Sequence, residues 1–334
     1  MRVPVAISKN GSAYEQTKRI FTLLGVENSI SPQDKVLVKP NLVRVPSDSP
    51  YANADGAYEH TLSPEGDLVH NEVIESVLQV LHEMKVRNII VGEASGGAET
   101  PVVFKSLGLH ELATKYGAEL IDLNYAEASK VSIKDGLVLK YAWIPKIVLD
   151  ADYSINVAVS KVHGFTAVTL ALKNWGLGIL PGKYYGINKT GRYKQGIEGP
   201  LPMHEHGDRT KLFGQEVSSS KVIVDVCSAV KCDLNIVDGL TTLHNEPGAK
   251  SYWAKPLLER TNMIIASHDI VATDAVCSRI FGFNPEKILH IKWAADKGIG
   301  NCDLSQIDVL GQKIEDVEIR CNPLASQASF IKIN

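Results

Sequence analysis

The stretch from Tyr153 to Lys183, YSINVAVSKVHGFTAVTLALKNWGLGILPGK, decides the fold of this 334-residue chain. Residues 153–159 are apolar and rich in β-branched side chains, which predicts a buried strand. Residues 166–175 repeat apolar side chains at helical spacing, which predicts a helix. A Gly-rich loop follows the helix. A strand, a polar turn and a helix in this order are typical of an α/β protein.

Polar side chains stand where this strand is expected to end and where the helix begins. Lys161 and His163 follow the strand, and Thr169, Lys173 and Asn174 lie in the predicted helix. In α/β proteins the carboxyl end of a strand and the next helix form the usual ligand crevice. The N–H groups at the helix N-terminus favour an anion there. We interpret this segment as the main ligand site; the alternative is a solvated helix face with a structural histidine.

The rest of the chain repeats the same alternation of strands and helices. Predicted strands comprise residues 2–7, 35–39, 88–91, 119–123, 234–237 and 263–266, and predicted helices comprise residues 67–84, 102–116 and 270–281. Gly25 is the expected end of an earlier helix, and residues 131–149 read as a strand pair turning at Asp135-Gly136. We predict an α/β fold with mainly parallel, Rossmann-like sheets and helices on both faces. It would form two α/β halves, residues 1–150 and 151–334, around a central crevice.

Three further positions carry polar groups at element ends or inside a helix. Lys39 and Asn41 flank the proline that closes the strand at residues 35–39, where a simple turn is the alternative. Asp238 ends a predicted strand in the last third of the chain. Asp274 lies among apolar residues of a helix and is therefore expected to be buried. Because an unpaired buried carboxylate is costly, it needs a partner: a helix N-terminus, a lysine or a metal.

The loop at residues 176–210 is basic and Gly-rich, which suits an anionic ligand. Its histidines His204 and His206 are spaced so that both imidazoles can face one side of an extended segment, as in metal sites. Exposed loop histidines are the alternative for this pair. The basic residues of the loop are Lys183, Lys189, Arg192, Lys194 and Arg209.

Composition limits the classes of partner and the compartment. A net charge of −3 gives no electrostatic footprint for nucleic acid or an anionic membrane. The chain has no signal-peptide pattern and no run long enough to span a membrane, so we expect a cytoplasmic protein. The five cysteines are scattered and form no C-x-x-C motif, which indicates reduced thiols without a local iron-sulfur site.

Several motifs together resemble the family known as domain of unknown function 362. They are VLVKPNLV (36–43), VGEASGG (91–97), the core from Leu149 to Gly182, the His204 loop, NIVDGL (235–240) and HDIVATDAVCSRIFGF (268–283). Members of this family often carry a ferredoxin-like segment with clustered cysteines, and this chain departs from that pattern. The resemblance implies that the polar groups at the strand ends face one site.

Our first hypothesis is an enzyme that acts on a small anionic substrate, a phosphate or a carboxylate. Lys39, Lys161, Asn41, Thr169 and Asn174 would bind the substrate. The catalytic candidates are His163, Lys173 and Asp238, where a histidine suits proton transfer at neutral pH. One divalent metal ion, bound through His163, His204 or His206 together with Asp238 or Asp274, is an optional Lewis acid.

The second hypothesis is a non-catalytic protein that carries a ligand or docks a redox protein partner. Cys227 and Cys232 are close in sequence, although such a spacing arises readily by chance. An iron-sulfur cluster shared between two chains of a homodimer would require few cysteines from each chain. A visible absorption band after anoxic purification would distinguish this hypothesis from the first.

Overall fold

The computed structural model of the chain describes residues 2–52, 54–55, 65–189, 196–203, 210–244, 257–321 and 331–333. The strands are β1 (Val3–Lys9), β2 (Lys35–Pro40), β3 (Asn88–Glu93), β4 (Ala118–Asp122), β5 (Ala128–Ser132), β6 (Tyr141–Pro145), β7 (Tyr153–His163), β8 (Ala167–Val168), β9 (Lys211–Leu212), β10 (Gln215–Glu216), β11 (Leu234–Leu243), β12 (Leu258–Ser267) and β13 (Ile307–Gly311). The helices are α1 (Ala13–Leu24), α2 (Asn71–Glu83), α3 (Thr100–Ser106), α4 (Leu109–Tyr116), α5 (Lys146–Leu149), α6 (Leu170–Gly178), α7 (Gly182–Tyr185), α8 (Val217–Ala229), α9 (Ile270–Ile280) and α10 (Leu289–Asp296).

One large sheet forms the centre of the molecule, with strand order β13-β1-β12-β11-β7-β2-β3-β4. Along this order the neighbouring strands are parallel except where β12 pairs with β1 and with β11, and the short ninth strand β8 pairs antiparallel with β7. The register places Asn156 of β7 beside Lys39 of β2 on one side and Asn235 of β11 on the other. The predicted α/β class with a mainly parallel sheet is therefore confirmed.

Helices cover both faces of this sheet, and the side-chain alternation of the strands separates the two cores. Leu37 packs into the core formed with α6, α8 and α9, whereas Val36 and Val38 pack into the core formed with α1 and α2. Strands buried on both faces read as continuous apolar runs, which explains the composition of residues 35–39. Each such fully buried side chain contributes about 1.5–3 kcal/mol to stability.

Local sequence signals place several elements as predicted. Gly25 ends α1 in the left-handed conformation with φ 65°, which a residue without a Cβ adopts readily. The predicted strand pair is present as antiparallel β5 and β6. The apolar stripe at residues 67–84 forms α2, although the helix begins later, after His70.

Other boundaries differ from the prediction for identifiable backbone reasons. The central helix α6 begins at Leu170 and not at residue 166, because Val168 first pairs back onto Val162 of β7. Ala167 and Leu170 lie in the left-handed region with φ 64° and 50°, a strained state that clusters at functional sites. The helix expected at residues 102–116 is divided into α3 and α4 by Gly108, whose φ is 66°.

The prediction omitted α8 and α10. The sequence of α8, VSSSKVIVDVCSA, is rich in serine and valine, which have low helix propensity, and tertiary burial overrides that preference. The predicted boundary between residues 150 and 151 stays a prediction. Strands from both sides of it are interleaved in one sheet, since β1 lies between β12 and β13.

Candidate functional site

Ionisable side chains occur near the carboxyl ends of neighbouring strands. Lys39 lies at the end of β2, Glu93 ends β3, Lys161 lies near the end of β7, and Asp238 precedes an irregularity in the pairing of β11. Because these strands are parallel, their carboxyl ends meet on one side of the sheet. We call this region, which carries Lys39, Glu93, Lys161 and Asp238, the carboxyl edge.

Lys39 is fully buried and uses all three ammonium hydrogens within the protein. It contacts Glu93 Oε1 at 2.8 Å, Asn174 Oδ1 at 2.7 Å and Pro40 O at 2.9 Å. Burial lowers the pKa of Lys39, and the adjacent Glu93 carboxylate opposes that effect. Glu93 also accepts the amides of Leu42 and Ala94 at 2.6 and 2.7 Å. This geometry favours a supporting role for Lys39 and Asn174 over direct substrate contact.

The glycines at and after the C-terminal end of α6 are explained by close approaches to the side chains around Lys39. A Cβ atom at Gly178 would lie 2.4 Å from Lys39 Nζ and 3.2 Å from Asn174 Oδ1. A Cβ atom at Gly182 would lie 2.7 Å from Asn124 Oδ1. These glycines therefore allow the backbone after α6 to approach the buried amine and amide closely.

Lys189 is a second buried lysine at this edge, and the sequence identified it only as one of several basic loop residues. Its Nζ donates to Ile187 O and Asn124 Oδ1 at 2.9 Å and to Ala94 O at 3.2 Å. Burial lowers its pKa to about 7, against the attraction of Glu93. Through these hydrogen bonds Lys189 joins the loop after α6 to the segments that follow β3 and β4. Glu93 and Asn124 were missed too, although Glu93 stands at a strand end.

The side chain of Lys161 is bonded to Asp67, and two other residues of the carboxyl edge carry buried polar atoms without described partners. Lys161 forms an ion pair with Asp67 Oδ1 and also donates to Asp67 O at 3.2 Å. Its third N–H has no acceptor in the part of the chain that the structure describes. Asn41 Oδ1 and Thr169 Oγ1 are buried and have no hydrogen-bond partner among the described residues.

Backbone hydrogen bonds join these residues into one group. The amide of Thr169 donates to Lys161 O at 3.1 Å, and the amide of Val69 donates to Asn41 O at 3.1 Å. Since Val69 is two residues after Asp67, the Lys161 partner, the chain holds Asn41, Thr169 and Lys161 around the same short segment. Backbone hydrogen bonds and the Lys161–Asp67 ion pair thus connect the segments that carry three of the five predicted substrate-binding residues.

Asp238 pairs with a histidine that sequence reasoning missed. Asp238 Oδ2 lies 2.7 Å from the His70 amide and 2.8 Å from His70 Nδ1, while His70 Nε2 lies 3.3 Å from Thr241 Oγ1. Burial acts to lower the pKa of His70, but the hydrogen bond and charge of Asp238 together raise it. The sequence did contain a signal for His70, because this residue directly precedes α2, the helix with the clearest apolar stripe in the sequence.

The amides at the N-terminus of α6 are already bonded to a protein side chain, the carboxyl group of Asp274. Its two carboxylate oxygens accept the amides of Ala171 at 2.8 Å and Leu172 at 2.9 Å. Burial raises the pKa of Asp274 to about 8 despite these bonds. The helix N-terminus is thus the partner expected for this buried carboxylate. The expectation that this terminus would attract a ligand anion is corrected, because a protein carboxyl group occupies its amides.

His163 and Lys173 lie near a histidine of α10 that the sequence did not indicate. His163 Nδ1 accepts the amide of Phe165 at 3.1 Å, and Lys173 lies half-buried on α6. His290 is fully buried, and neither of its ring nitrogens has a hydrogen-bond partner within the described ranges. Burial, with the charges of Lys173 and His163, lowers the pKa of His290 to about 3.

Replacing His290 with leucine is expected to raise the free energy of unfolding at pH 7 by about 1 kcal/mol, because an unpaired buried imidazole is removed. The unfolded imidazole protonates below pH ~6.5 and the folded one does not, so wild type should lose stability as pH falls below that value. The variant should lose less. Urea denaturation from neutral to acidic pH measures both effects, with exposed His110→Leu as the control. A destabilised variant would show that His290 has a stabilising partner.

The residues expected to bind a metal are only partly described. His204 and His206 lie outside the described residues, and Asp274 is engaged by α6. Elsewhere in the described chain, no three His, Cys, Asp or Glu side chains are grouped to hold a metal ion. The metal-binding prediction therefore stays a prediction.

The cysteines do not fit a locally bound iron-sulfur cluster, which requires several thiolate ligands together. Cys227 donates to Leu172 O at 3.4 Å, and Cys232 lies 3.5 Å from Ser154 O. Burial raises the pKa of Cys227 far above its usual value and that of Cys232 to about 12. Burial therefore favours the thiol form of both residues over the thiolate.

Comparisons with known proteins bear on the family and not on the chemistry. A thylakoid-associated protein of Synechocystis sp. is 23% identical over 270 residues, which covers 79% of this chain and 68% of that protein. The structure of the lactate racemase apoprotein from Thermoanaerobacterium thermosaccharolyticum aligns with a TM-score of 0.41 and 13% identity. That alignment covers 84% of this chain and 57% of that chain, and at this level it assigns no activity.

Among the described helices, none is long and apolar enough to cross a membrane. The sequence profile of one family matches residues 36–279, well over half of the chain. The match includes the carboxyl edge, from Lys39 and Glu93 through Lys161 to Asp238, and also Asp274. The chain therefore belongs to the family described as Domain of unknown function (DUF362).

Proposed function

We propose that the carboxyl edge binds a small organic or inorganic anion and that the protein is an enzyme acting on it. The observation that supports this proposal most directly is the buried Thr169 hydroxyl, which has no hydrogen-bond partner among the described residues and can donate to an anionic oxygen. Asn41 Oδ1 also lacks a described partner, but it is an acceptor and would require a hydroxyl or a protonated oxygen of the same ligand. A buried polar atom without a hydrogen bond costs about 1–3 kcal/mol. A ligand that supplies the missing partners would recover that free energy.

The donors at this position suit carboxylate or phosphate oxygens. Thr169 offers a hydroxyl hydrogen, and Lys161 offers the ammonium hydrogen that Asp67 does not accept. Hydrogen bonds from a charged donor to an anionic oxygen are stronger than neutral ones. Asp67 neutralises much of the charge on Lys161, so the site would bind one small anionic group and would not accumulate a polyanion.

The His70 and Asp238 pair is our candidate for proton transfer. Asp238 accepts the Nδ1 hydrogen, which fixes the ring orientation and leaves Nε2 as the proton donor or acceptor. Burial opposes protonation of the ring, but the hydrogen bond and charge of Asp238 raise the pKa of His70 and favour a role as proton donor. In this proposal Asp238 positions His70, while His163 and Lys173 keep their sequence-based roles as catalytic candidates.

Thr169→Val is expected to retain stability and to lose anion binding. Valine has a similar shape and removes a buried hydroxyl that has no described partner, so the free energy of unfolding should stay equal or rise. The melting temperature would be measured with inorganic phosphate and with acetate. Wild type should be stabilised by one of these anions more than the variant is.

Thr17→Val is the matched control, since the Thr17 hydroxyl is buried and bonded to Ser76 Oγ at 2.7 Å. That variant should lose stability and keep the response to the anion. Equal stabilisation of wild type and Thr169→Val would reflect a general salt effect and would contradict the proposed site.

Catalysis and simple binding are separated by following the bound anion over time. With an organic carboxylate or a phosphate ester that stabilises the protein, NMR of the mixture should show its conversion, and His70→Gln should abolish conversion while leaving stabilisation intact. Stabilisation without conversion would favour the ligand-binding alternative. A metal-assisted version rests on His204 and His206, and metal analysis of wild type and the His204→Ala/His206→Ala variant tests it.

A further inference from the structure

A cavity lies on the side of the sheet opposite the carboxyl edge. It has a volume of about 400 Å³ and is lined by the start of β1, the end of α8 and the beginning of α9. The β7 strand runs from this side at Tyr153 toward the carboxyl edge at Lys161, so the two sites lie at opposite ends of the strands. We call this space the amino-edge cavity. Its volume lies within the usual range for small-molecule sites.

The interior of the amino-edge cavity is apolar, and its polar groups are already satisfied. Trp175, Val230 and Ile270 line it, and the Trp175 indole donates to Val230 O at 2.9 Å. Asp269 Oδ1 accepts the amides at the start of α9, and its Oδ2 accepts the Asn301 amide at 3.0 Å. The one carboxylate in the lining is therefore held by backbone donors and is not directed at a cation.

The rim of the cavity carries two positively charged side chains. Arg2 and Lys231 line the cavity, are exposed, and form no ion pair with any residue that the structure describes. An exposed cation alone is an ordinary surface feature. Two cations at the mouth of an apolar cavity together suit a ligand that carries an anionic group on an apolar body.

We propose that the amino-edge cavity binds an organic monoanion with an apolar body, whose charged group lies between Arg2 and Lys231. The apolar body would enter the cavity beside Trp175, Val230 and Ile270 and remove mainly its own surface from water. This site is independent of the carboxyl edge and does not depend on the function proposed for it. An aromatic carboxylate is small enough for the volume and has the required charge.

The test is calorimetric titration with 2-naphthoate and with its neutral counterpart 2-naphthamide. Wild type should bind 2-naphthoate saturably and more tightly than the amide. The Arg2→Gln/Lys231→Gln variant should weaken 2-naphthoate binding by roughly five- to tenfold, the effect of two solvent-exposed charge pairs, and leave the amide unchanged. Val230→Phe fills the cavity and should abolish binding of both compounds.

Two controls localise the binding. Lys313→Gln removes an exposed lysine elsewhere and should bind 2-naphthoate as wild type does. Thr169→Val alters only the carboxyl edge and should also bind normally. The proposal is overturned if 2-naphthoate shows no saturable binding at about 1 mM. Unchanged affinity in the Arg2→Gln/Lys231→Gln variant, or loss of binding in Thr169→Val, would overturn it equally.

Discussion

Replacing Glu93 with alanine is expected to lower the free energy of unfolding by about 3–5 kcal/mol, because it leaves the Lys39 ammonium buried without its carboxylate. The same change removes the acceptor of the Leu42 and Ala94 amides. Removing one partner of a buried ion pair costs far more than the net contribution of the pair. Urea denaturation followed by circular dichroism measures the change.

A double-mutant cycle distinguishes the charge effect from the loss of packing. Glu93→Gln keeps the shape and one acceptor oxygen, so it should be less damaging than alanine. Adding Lys39→Met to Glu93→Gln should recover part of the lost stability, because no unpaired charge remains. Glu127→Gln, which breaks an exposed pair with Lys146, is the matched control and should have little effect. If Lys39→Met worsens Glu93→Gln, the charge of Lys39 is not what the carboxylate compensates.

Replacing Asp274 with alanine is expected to lower the free energy of unfolding by about 2–4 kcal/mol, since two buried amides at the start of α6 lose their acceptor. Asp274→Asn retains one acceptor oxygen and should cost less. Because α6 carries Lys173 and Asn174, either variant should also weaken anion-dependent stabilisation.

Asp274 is expected to stabilise the folded protein more at acidic pH than at neutral pH, which is the reverse of the usual behaviour of a paired carboxylate. The folded pKa is raised to about 8, so between pH ~4 and ~8 the folded carboxyl binds more protons than the unfolded one. The stability of wild type relative to Asp274→Asn should therefore be greatest at acidic pH and decrease as pH rises to about 8. A difference that stays constant over this range would mean that the two α6 amides keep the carboxylate ionised.

Local pattern alone was sufficient for the strands on either side of the site. The apolar run at residues 35–39 predicts β2, and the run at residues 153–159 predicts the first part of β7. Strand ends are visible in sequence because apolar residues stop and polar ones begin. Lys39, Lys161 and Asp238 were found in this way, and all three lie on the carboxyl edge.

The tertiary structure decided which charged side chains are paired. Asp238 and His70 are 168 residues apart in sequence, and Asp274 reaches the Ala171 amide across 103 residues. No local spacing encodes such pairs, because they depend on the order of strands in the sheet. The same reason explains why Glu93 and Lys189 were not recognised as neighbours of Lys39.

The sequence by itself determined the α/β class, the doubly buried strands and the polar character of their carboxyl ends. Those features follow from side-chain periodicity, which acts over a few residues. Only the tertiary structure decided that Lys39 is neutralised within the protein while Asn41 and Thr169 keep unpaired polar atoms. Burial and pairing are properties of the packed chain, because they depend on groups that folding brings together from distant segments.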